Sequence, residues 1–578
     1  MPTVVPSHNW NLPDPPGPEA AQLGRELGLP AAAAGLLLRR GFATADEVRD
    51  FLDTSPARLH QPDTLPDIEP ATDRIIAALE KNERICVHGD YDVDGVTGTV
   101  LLLTVLRRLG GEVVYYLPHR EEEGYGISLA GVEFCREQGA TLLVTVDCGS
   151  TDIAAVAAAR SAGIDVVITD HHEVKPELPG ALALVNPKRP GSTYPWPELA
   201  GVGVAFKLAW RLLSRLERPR EELTDLLDLV GLGTIADVVP LRGENRILAR
   251  LGLAAITANR RPGLKALREV AGIGKGAVTP YHVGYVLGPR LNAAGRVDHA
   301  RHAVELLLAR DPDEAAGLAG VLNEQNNARR LVEKRVVNQA LDEVERRGLH
   351  RRRVIVVGRI GWPAGVLGLA ASRLARQFGR PSIVVSFDDE PARGSGRSVN
   401  GFDLYAALES AADHLAGFGG HRYAAGVKVE RDRVEDFSAA VNRHADALPD
   451  HVFQPSLDVD AVVTLDDLDE PFAGLLGELE PFGAENREPL FAALGVEVTG
   501  WPRCIGRQRE HLTFRARSGT RELDAIAWGR SAELPNLEPG VPASLDICFN
   551  VEKHTWQGRT TTRLVVRDMR TPGQSPAA

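Results

Sequence analysis

The sequence predicts an α/β fold: a parallel-sheet domain, a second α/β domain joined to it by a long helix, and a small β-barrel at the C-terminal end. Three patterns carry that prediction. Continuous apolar, β-branched runs alternate with helical stretches between about 71 and 200, as in a parallel sheet covered on both faces. A polar-periodic stretch from Asp311 to Gly348 lacks proline after Pro312 and is rich in Glu, Gln, Arg and Lys. Beyond about 455 the segments become short and alternating, as in a barrel.

In order, residues 1–70 read as a Pro-rich lead-in and a short helical cap, and 71–310 as the first domain with a helical part. Strands are expected at Arg84–His88, Glu112–Leu117, Ala140–Val146, Asp165–Thr169 and Ala181–Val185, with helices at Thr97–Leu109 and Ile153–Ala162. Residues 199–310 read as mostly helical and 311–350 as the connecting helix. The second α/β domain, 351–452, opens on the strand Arg353–Val357 and contains Ser382–Ser386. The barrel fills 453–570, with strands at Leu512–Arg517 and Thr562–Arg567, and 571–578 is a tail.

Composition excludes whole classes. Of 578 residues 44% are hydrophobic and 25% charged, which suits folded cores and not a disordered or fibrous chain. Acids outnumber bases, 78 to 66, so a chain-wide basic glove for nucleic acid is excluded, though a local basic groove is not. The five cysteines form no CxxC pair, against a zinc or disulfide framework. No apolar run reaches the roughly 18–20 residues that span a bilayer, and no signal-peptide pattern opens the chain. The expectation is a soluble cytoplasmic protein.

The chemistry concentrates where apolar runs end. The first strand runs into His88-Gly-Asp90-Tyr-Asp92-Val-Asp94-Gly, a later one into Asp147-Cys-Gly, and the next into Asp170-His171-His172. Gly233-Thr-Ile-Ala-Asp237 reads as a fourth. One Asp after a strand is ordinarily the N-cap of the next helix. This many acids together would repel one another unless cations neutralise them. Carboxylates with imidazoles suit Mn²⁺ or Mg²⁺, and the absence of thiolates disfavours Zn²⁺. No GxSxG elbow offers a covalent alternative. Gly272-Ile-Gly-Lys275-Gly276 lacks the spacing of a Walker loop.

The DHH string at 170–172, with VHGDYDVDGVTGT at 87–99 and VDCG at 146–149, resembles the DHH phosphoesterase superfamily. AGVGVAFKL (200–208), GTIADVVPL (233–241), GPRLNAAGR (288–296), GSGRSVNGFDL (394–404), GFGGHRYAAG (417–426) and PFGAENREPLF (481–491) are similar to its branch of single-strand-specific 5′→3′ DNA exonucleases. The resemblance implies a DHH domain, a DHHA1 domain and an OB-fold. It implies two divalent ions held by His88, Asp90, Asp92, Asp94, Asp147, His171 and Asp237, with Asp147 between them and His172 aimed at the scissile phosphate. It implies a two-metal hydrolysis that releases nucleoside 5′-monophosphates in repair and recombination. Its partners would be single-stranded DNA, a single-strand-binding protein and a RecQ-type helicase, the enzyme itself being a monomer. A narrow channel between the two α/β modules would admit one strand.

A small-residue loop with a guanidinium, Gly394-Ser395-Gly-Arg397, suits a terminal phosphate. The expected 5′-phosphate and DNA contacts are Ser395, Arg397, Arg290, Arg296, Asn292, Gly420 and His421, with His421 also catalytic. Pro363 stands after Trp362 where this family often has histidine, which removes a catalytic or DNA-contacting imidazole there. In the barrel, 501–570 hold 12 Lys/Arg against 8 Asp/Glu. Arg515, Arg517, Arg559, Arg563 and Arg567 interleave with Phe514, Trp528, Phe549 and Trp556, a pattern that grips single strands without reading sequence. The competing reading makes the aromatics core. A phosphodiesterase for cyclic dinucleotides or very short oligonucleotides is the enzyme alternative, and a non-catalytic single-strand-binding scaffold a third.

Overall fold

The computed structural model describes residues 8–573 apart from 121, 298–299, 534–543 and 557–558, with backbone alone at 294–297, 555–556 and 559–560. The chain forms two compact units, and neither is continuous in sequence. One comprises Arg49–Arg329 and Leu479–Arg487; the other comprises Met1–Val48, Arg330–Glu478 and Glu488–Ala578. Among the described residues no helix is long and apolar enough to cross a membrane.

Strand β1 (Asn9–Asn11) opens the described chain. The first unit is built on β2 (Arg84–Gly89), β3 (Glu112–Tyr116), β4 (Leu142–Val146), β5 (Asp165–Thr169) and β6 (Ala183–Val185). All pair in parallel, in the order β3-β2-β4-β5-β6. Strands β2 and β4 are almost wholly buried, which explains their unbroken apolar runs. Chain order reverses between β2 and β4. In open parallel sheets a ligand crevice lies there, beyond the carboxyl ends of the strands.

Helix Val93–Arg108 follows β2 and is capped by Asp92, whose side chain accepts from the backbone of Asp94 and Gly95. Helices Gly201–Arg215 and Leu227–Ala236 pack against it. Helix Val93–Arg108 begins four residues earlier than the periodicity suggests, because the acidic turn itself is helical. Leu227–Ala236 is also where the structure departs from the sequence reading: Asp237 ends a helix and not a strand. That segment is apolar on every side, so periodicity could not tell a buried helix from a buried strand.

The long helix spans Pro312–Arg346. The second unit then holds β7 (Ile355–Arg359), β8 (Ser382–Ser386), β9 (Ala392–Arg397), β10 (Gly417–His421) and β11 (Ala424–Val429). Only β7 and β8 run parallel, so this sheet is mixed. After β12 (Ser456–Asp458) and β13 (Ala461–Val462) come β14 (Phe491–Ile505), β15 (His511–Ser518), β16 (Arg521–Ala527), β17 (Ser544–Trp556) and β18 (Arg559–Arg570). Pairing of β14 with β17 closes these last five into a barrel. Strand β1 lies parallel to β12, and the Trp10 indole donates to Asp568 at 2.9 Å.

Candidate metal centre

Asp90 follows β2, Asp147 follows β4 and Asp170 follows β5, so the parallel sheet delivers all three to one edge. Helix Val93–Arg108 adds Asp94 in its first turn, and the end of Leu227–Ala236 adds Asp237. Around His171 Nε2 stand Asp147 Oδ1 at 3.0 Å, Asp237 Oδ2 at 3.5 Å and Asp94 Oδ2 at 3.9 Å. Two sets can each offer one atom per residue to a common point: Asp90, Asp92 and Asp147, and Asp94, His171 and Asp237. A third set joins Asp147 and His171 to His172. Sequence-predicted ligands from four separate stretches thus meet in one pocket. His88 does not belong to these sets: it is fully buried against Tyr116, with its rings 5.4 Å apart, and Cys148 Sγ lies 3.8 Å from its Nδ1.

Backbone and glycine shape the pocket. Helix Gly201–Arg215 points its N-terminal amides at Asp94, with Gly201 and Val202 donating to its carboxylate at 2.5 and 2.9 Å. A Cβ on Gly201 would lie 2.7 Å from Asp147 Cβ, and one on Gly233 2.8 Å from Asp94 Oδ1. Asp147 sits at φ 63, a left-handed conformation that Asp tolerates better than most residues. Its amide donates to Thr169 O at 2.9 Å, and the Tyr125 hydroxyl donates to its carbonyl at 3.1 Å. Val238, beside Asp237, is also left-handed at φ 65. That turn is braced where Leu241 donates to the Ala484 carbonyl at 2.8 Å, which gives the PFGAENREP string its place.

Electrostatics mark the pocket as built for cations. Burial, then the charge of Asp92, pushes the Asp90 and Asp94 carboxyls up to about 7. Burial and Asp94 push Asp237 up to about 9, and Asp147 is driven well above the carboxylate range for the same reasons. Burial and His172 hold His171 down at about 3, so it is neutral and able to donate a lone pair. Buried Asp147 Oδ1, Asp90 Oδ1 and His171 Nε2 make no hydrogen bond. Unpartnered buried acceptors with raised proton affinity fit one or two hard divalent cations.

Asp170 behaves differently. Burial alone would raise it, but a 2.9 Å hydrogen bond from His172 Nδ1, with that ring's charge, holds it at about 2. Asp170 thereby fixes the ring of His172, which Tyr125 also touches through a 2.8 Å contact with the same nitrogen. Sequence reasoning assigned no role to Asp170, Tyr125, Gly201 or Gly233. Asp170, Gly201 and Gly233 lie within recorded strings and Tyr125 does not, but only contact geometry reveals what they do.

These buried acids predict a pH dependence. A carboxyl raised on folding binds its proton more tightly folded than unfolded, so the metal-free fold loses stability as pH climbs from about 5 to about 9. Melting temperatures in chelator should therefore fall over that range, and the increment from Mn²⁺ should grow. An increment independent of pH would contradict the shifts.

Family models match the DHH family N-terminal domain at 84–234, the DHHA1 domain at 352–446 and the RecJ OB domain at 459–568. The single-stranded-DNA-specific exonuclease RecJ of Bacillus subtilis is 38% identical over 562 residues, covering 97% of this chain and 70% of that protein. RecJ of Escherichia coli is 38% identical over 570 residues, covering 95% and 97%. The chain belongs to the RecJ family. The crystal structure of RecJ with Mn²⁺ from Thermus thermophilus superposes with a TM-score of 0.81 at 30% identity, covering 98% of this chain and 80% of that one.

The remaining expected RecJ contacts divide by location. Arg397 ends β9, half-buried, its guanidinium donating to Ser395 Oγ at 3.1 Å and Gly396 O at 2.8 Å. Gly368 lets it close in, since a Cβ there would stand 2.7 Å from Arg397 Nη2. His421 is exposed at the end of β10, next to Gly420 at φ 137, where a Cβ would strike the Ala424 carbonyl. Arg290 is buried and donates to Val286 O at 2.6 Å and Asn323 Oδ1 at 3.1 Å, with Asn292 half-buried beside it. The side chains of Arg296, Trp556 and Arg559 lie outside the described residues.

In the barrel, Phe514 and Phe549 are core, so the competing reading holds for them, while Trp528 is half exposed. Trp501, which the sequence reading passed over, is 77% exposed. Arg515, Arg517, Arg563 and Arg567 each meet a glutamate, which mutes the basic face. A cavity of about 770 Å³ lined by Arg107, Arg108, Asp225, Asp228 and Arg261 contains none of these site residues. Its Arg108 and Arg261 are already paired with Asp225 and Asp228.

Proposed function

We propose that this chain is a metal-dependent exonuclease specific for single-stranded DNA. It degrades from the 5′ end and releases nucleoside 5′-monophosphates in repair and recombination. The observation that carries the reading is the meeting of Asp90, Asp92, Asp94, Asp147, His171 and Asp237 at the switch point of a parallel sheet, in a chain of the RecJ family. Two Mn²⁺ or Mg²⁺ ions fit these residues, one favoured by Asp90 and Asp92, the other by Asp94, His171 and Asp237, with Asp147 adjoining both. When bound, such a pair lowers the pKa of a shared water and steadies the attacking and leaving oxygens of the phosphodiester.

The protein's own groups do the rest. Asp170 orients His172 and raises its affinity for a proton against the effect of burial, so the ring is placed to donate to the phosphate as negative charge builds. The helix N-terminus at Gly201 keeps Asp94 aimed inward. His88 sits behind the pocket as a packing residue. Arg397, Ser395, Gly420 and His421 hold the terminal 5′-phosphate. Arg290 and Asn292 line the backing of that path and do not supply its charge. The exposed tryptophans of the barrel, Trp501 and Trp528, stack bases of the incoming strand. A single-strand-binding protein and a RecQ-type helicase work with the enzyme, which acts as a monomer in the cytoplasm.

The deciding experiment is nucleotide release from single strands blocked at one end or the other, with and without Mn²⁺. Release that persists with a blocked 5′ end would overturn the polarity, and release without metal the mechanism. Arg397→Ala should lower kcat/KM on 5′-phosphorylated strands by about 10–100-fold, as expected for losing charge-assisted bonds, with a smaller change on 5′-hydroxyl strands. An unchanged preference for phosphorylated ends would remove Arg397 from this role.

A further inference from the structure

We propose that Tyr281 and Tyr285 form a base-stacking platform for single-stranded DNA on the helical part of the first unit, an inference that rests on the exonuclease reading above. The two residues flank and enter a six-residue π-helix, His282–Leu287. Such turns are rare and frequently mark functional sites. Tyr281 is 64% exposed and Tyr285 71%, and their rings stack with centroids 5.2 Å apart and planes 26° from parallel. The opposite face of the same turn is anchored by buried Val283 and Leu287. The fold therefore uses one side of the turn and leaves the aromatic side bare. Gly284, between the tyrosines, would meet nothing if it carried a Cβ, so the surface beside the rings is open.

Charge names the occupant. Residues 270–297 contain no Asp or Glu, although acids outnumber bases in the chain as a whole. They do contain Lys275, which is exposed. An exposed lysine on a stretch of chain without acids, beside flat aromatic faces, suits a polyanion that carries bases, since every base has a face to stack. Lys275 belongs to the Gly272–Gly276 loop, which resembled a phosphate loop without its spacing. Buried Arg268 holds that loop by donating to the Gly274 and Gly276 carbonyls at 3.0 and 3.3 Å, so the lysine is presented from a fixed turn.

Position gives the platform its role. The π-helix runs directly into helix Gly288–Val297, and Arg290 braces the junction by donating to the Val286 carbonyl. A Cβ on Gly288 would stand 3.8 Å from Ala236 Cβ, and Ala236 precedes Asp237. Tyr285 is thus one turn from a residue packed beside the helix end that carries Asp237. A strand whose end is being cleaved there would lay later bases on the two rings, which would lengthen its stay between cuts.

The test uses the full chain. With oligo-dT as probe, Tyr281→Ala/Tyr285→Ala should raise KM for a long strand about tenfold, the scale of losing one or two stacked bases, and Tyr281→Phe/Tyr285→Phe should stay close to the parent. Equal KM for the parent and the alanine pair, or equal losses in both pairs, would overturn the proposal. A second measurement needs no turnover. In chelator, oligo-dT carrying 5-iododeoxyuridine at single positions is cross-linked by light and the adducts are mapped by mass spectrometry. Adducts on Tyr281 or Tyr285 support the platform; adducts confined to other surfaces overturn it and point to a protein partner for the exposed rings. If the parent releases no nucleotide from single strands with Mn²⁺, the exonuclease reading fails, and the cross-linking arm still decides whether the rings meet DNA.

Discussion

Asp147→Asn should reduce Mn²⁺-dependent nucleotide release on the order of 10⁴-fold, a barrier increase of ~5.5 kcal/mol. Asparagine keeps the shape of the side chain and tolerates the left-handed backbone at φ 63. The backbone bonds to Thr169 and Tyr125 survive, so the turn stays where it is. What disappears is the one charge that adjoins both ligand sets. Binding of single-stranded DNA in chelator should hold or tighten, because a carboxylate that repels phosphate is gone. At alkaline pH, where the buried carboxyl loses its proton, the metal-free variant should also melt at a higher temperature than its parent, since that poorly compensated anion is absent. Loss of activity with a gain of stability would separate a site residue from a structural one. Release above about one-tenth of the parental rate would remove Asp147 from the centre of the mechanism.

Gly201→Ala should weaken Mn²⁺ binding and activity by about 10–100-fold, the scale seen when the groups that orient metal ligands are disturbed. The new methyl would stand 2.7 Å from Asp147 Cβ and 2.8 Å from its Oδ1, distances that force one of the two to move. The amide of the same residue donates to Asp94, so displacing it disturbs both ligand sets at once. Gly203→Ala is the matched control: two residues along the same helix, its methyl would meet only the Leu199 side chain, at 3.4 Å. That variant should bind Mn²⁺ like its parent. Equal effects in the two variants, read by Mn²⁺ titration of the melting temperature, would mean that helix propensity and not the approach to Asp147 is being measured.

Much of this site could be read from the chain because chemistry and fold used the same punctuation. Apolar runs stop at Gly89, Val146 and Thr169, and each stop is followed by an acid, which is where a parallel sheet presents its ligands. Asp237 was found for its composition but given the wrong element, since an all-buried helix leaves no periodic trace. The positioning groups were harder. Gly201 and Gly233 matter through a missing methyl, and a sequence does not state what that methyl would strike. Asp170 looks like its neighbours in the string and differs only in having His172 as its partner. In the barrel, aromatic spacing pointed to Phe514 and Phe549, yet strand alternation turned both inward. Trp501 faces out within the irregularity of β14 between Thr499 and Arg503, where simple alternation breaks.

The pairing of β1 with β12 has a consequence for how the molecule is made. About 450 residues separate the two strands, roughly 20–90 s of ribosomal synthesis at roughly 5–20 residues per second. All but the short 479–487 return of the metal-binding unit leaves the exit tunnel within that interval and can collapse first. Asn9–Asn11, made well before its partner, waits with its edge unsatisfied until Ser456–Asp458 arrives, so a strand made early finds its neighbour late.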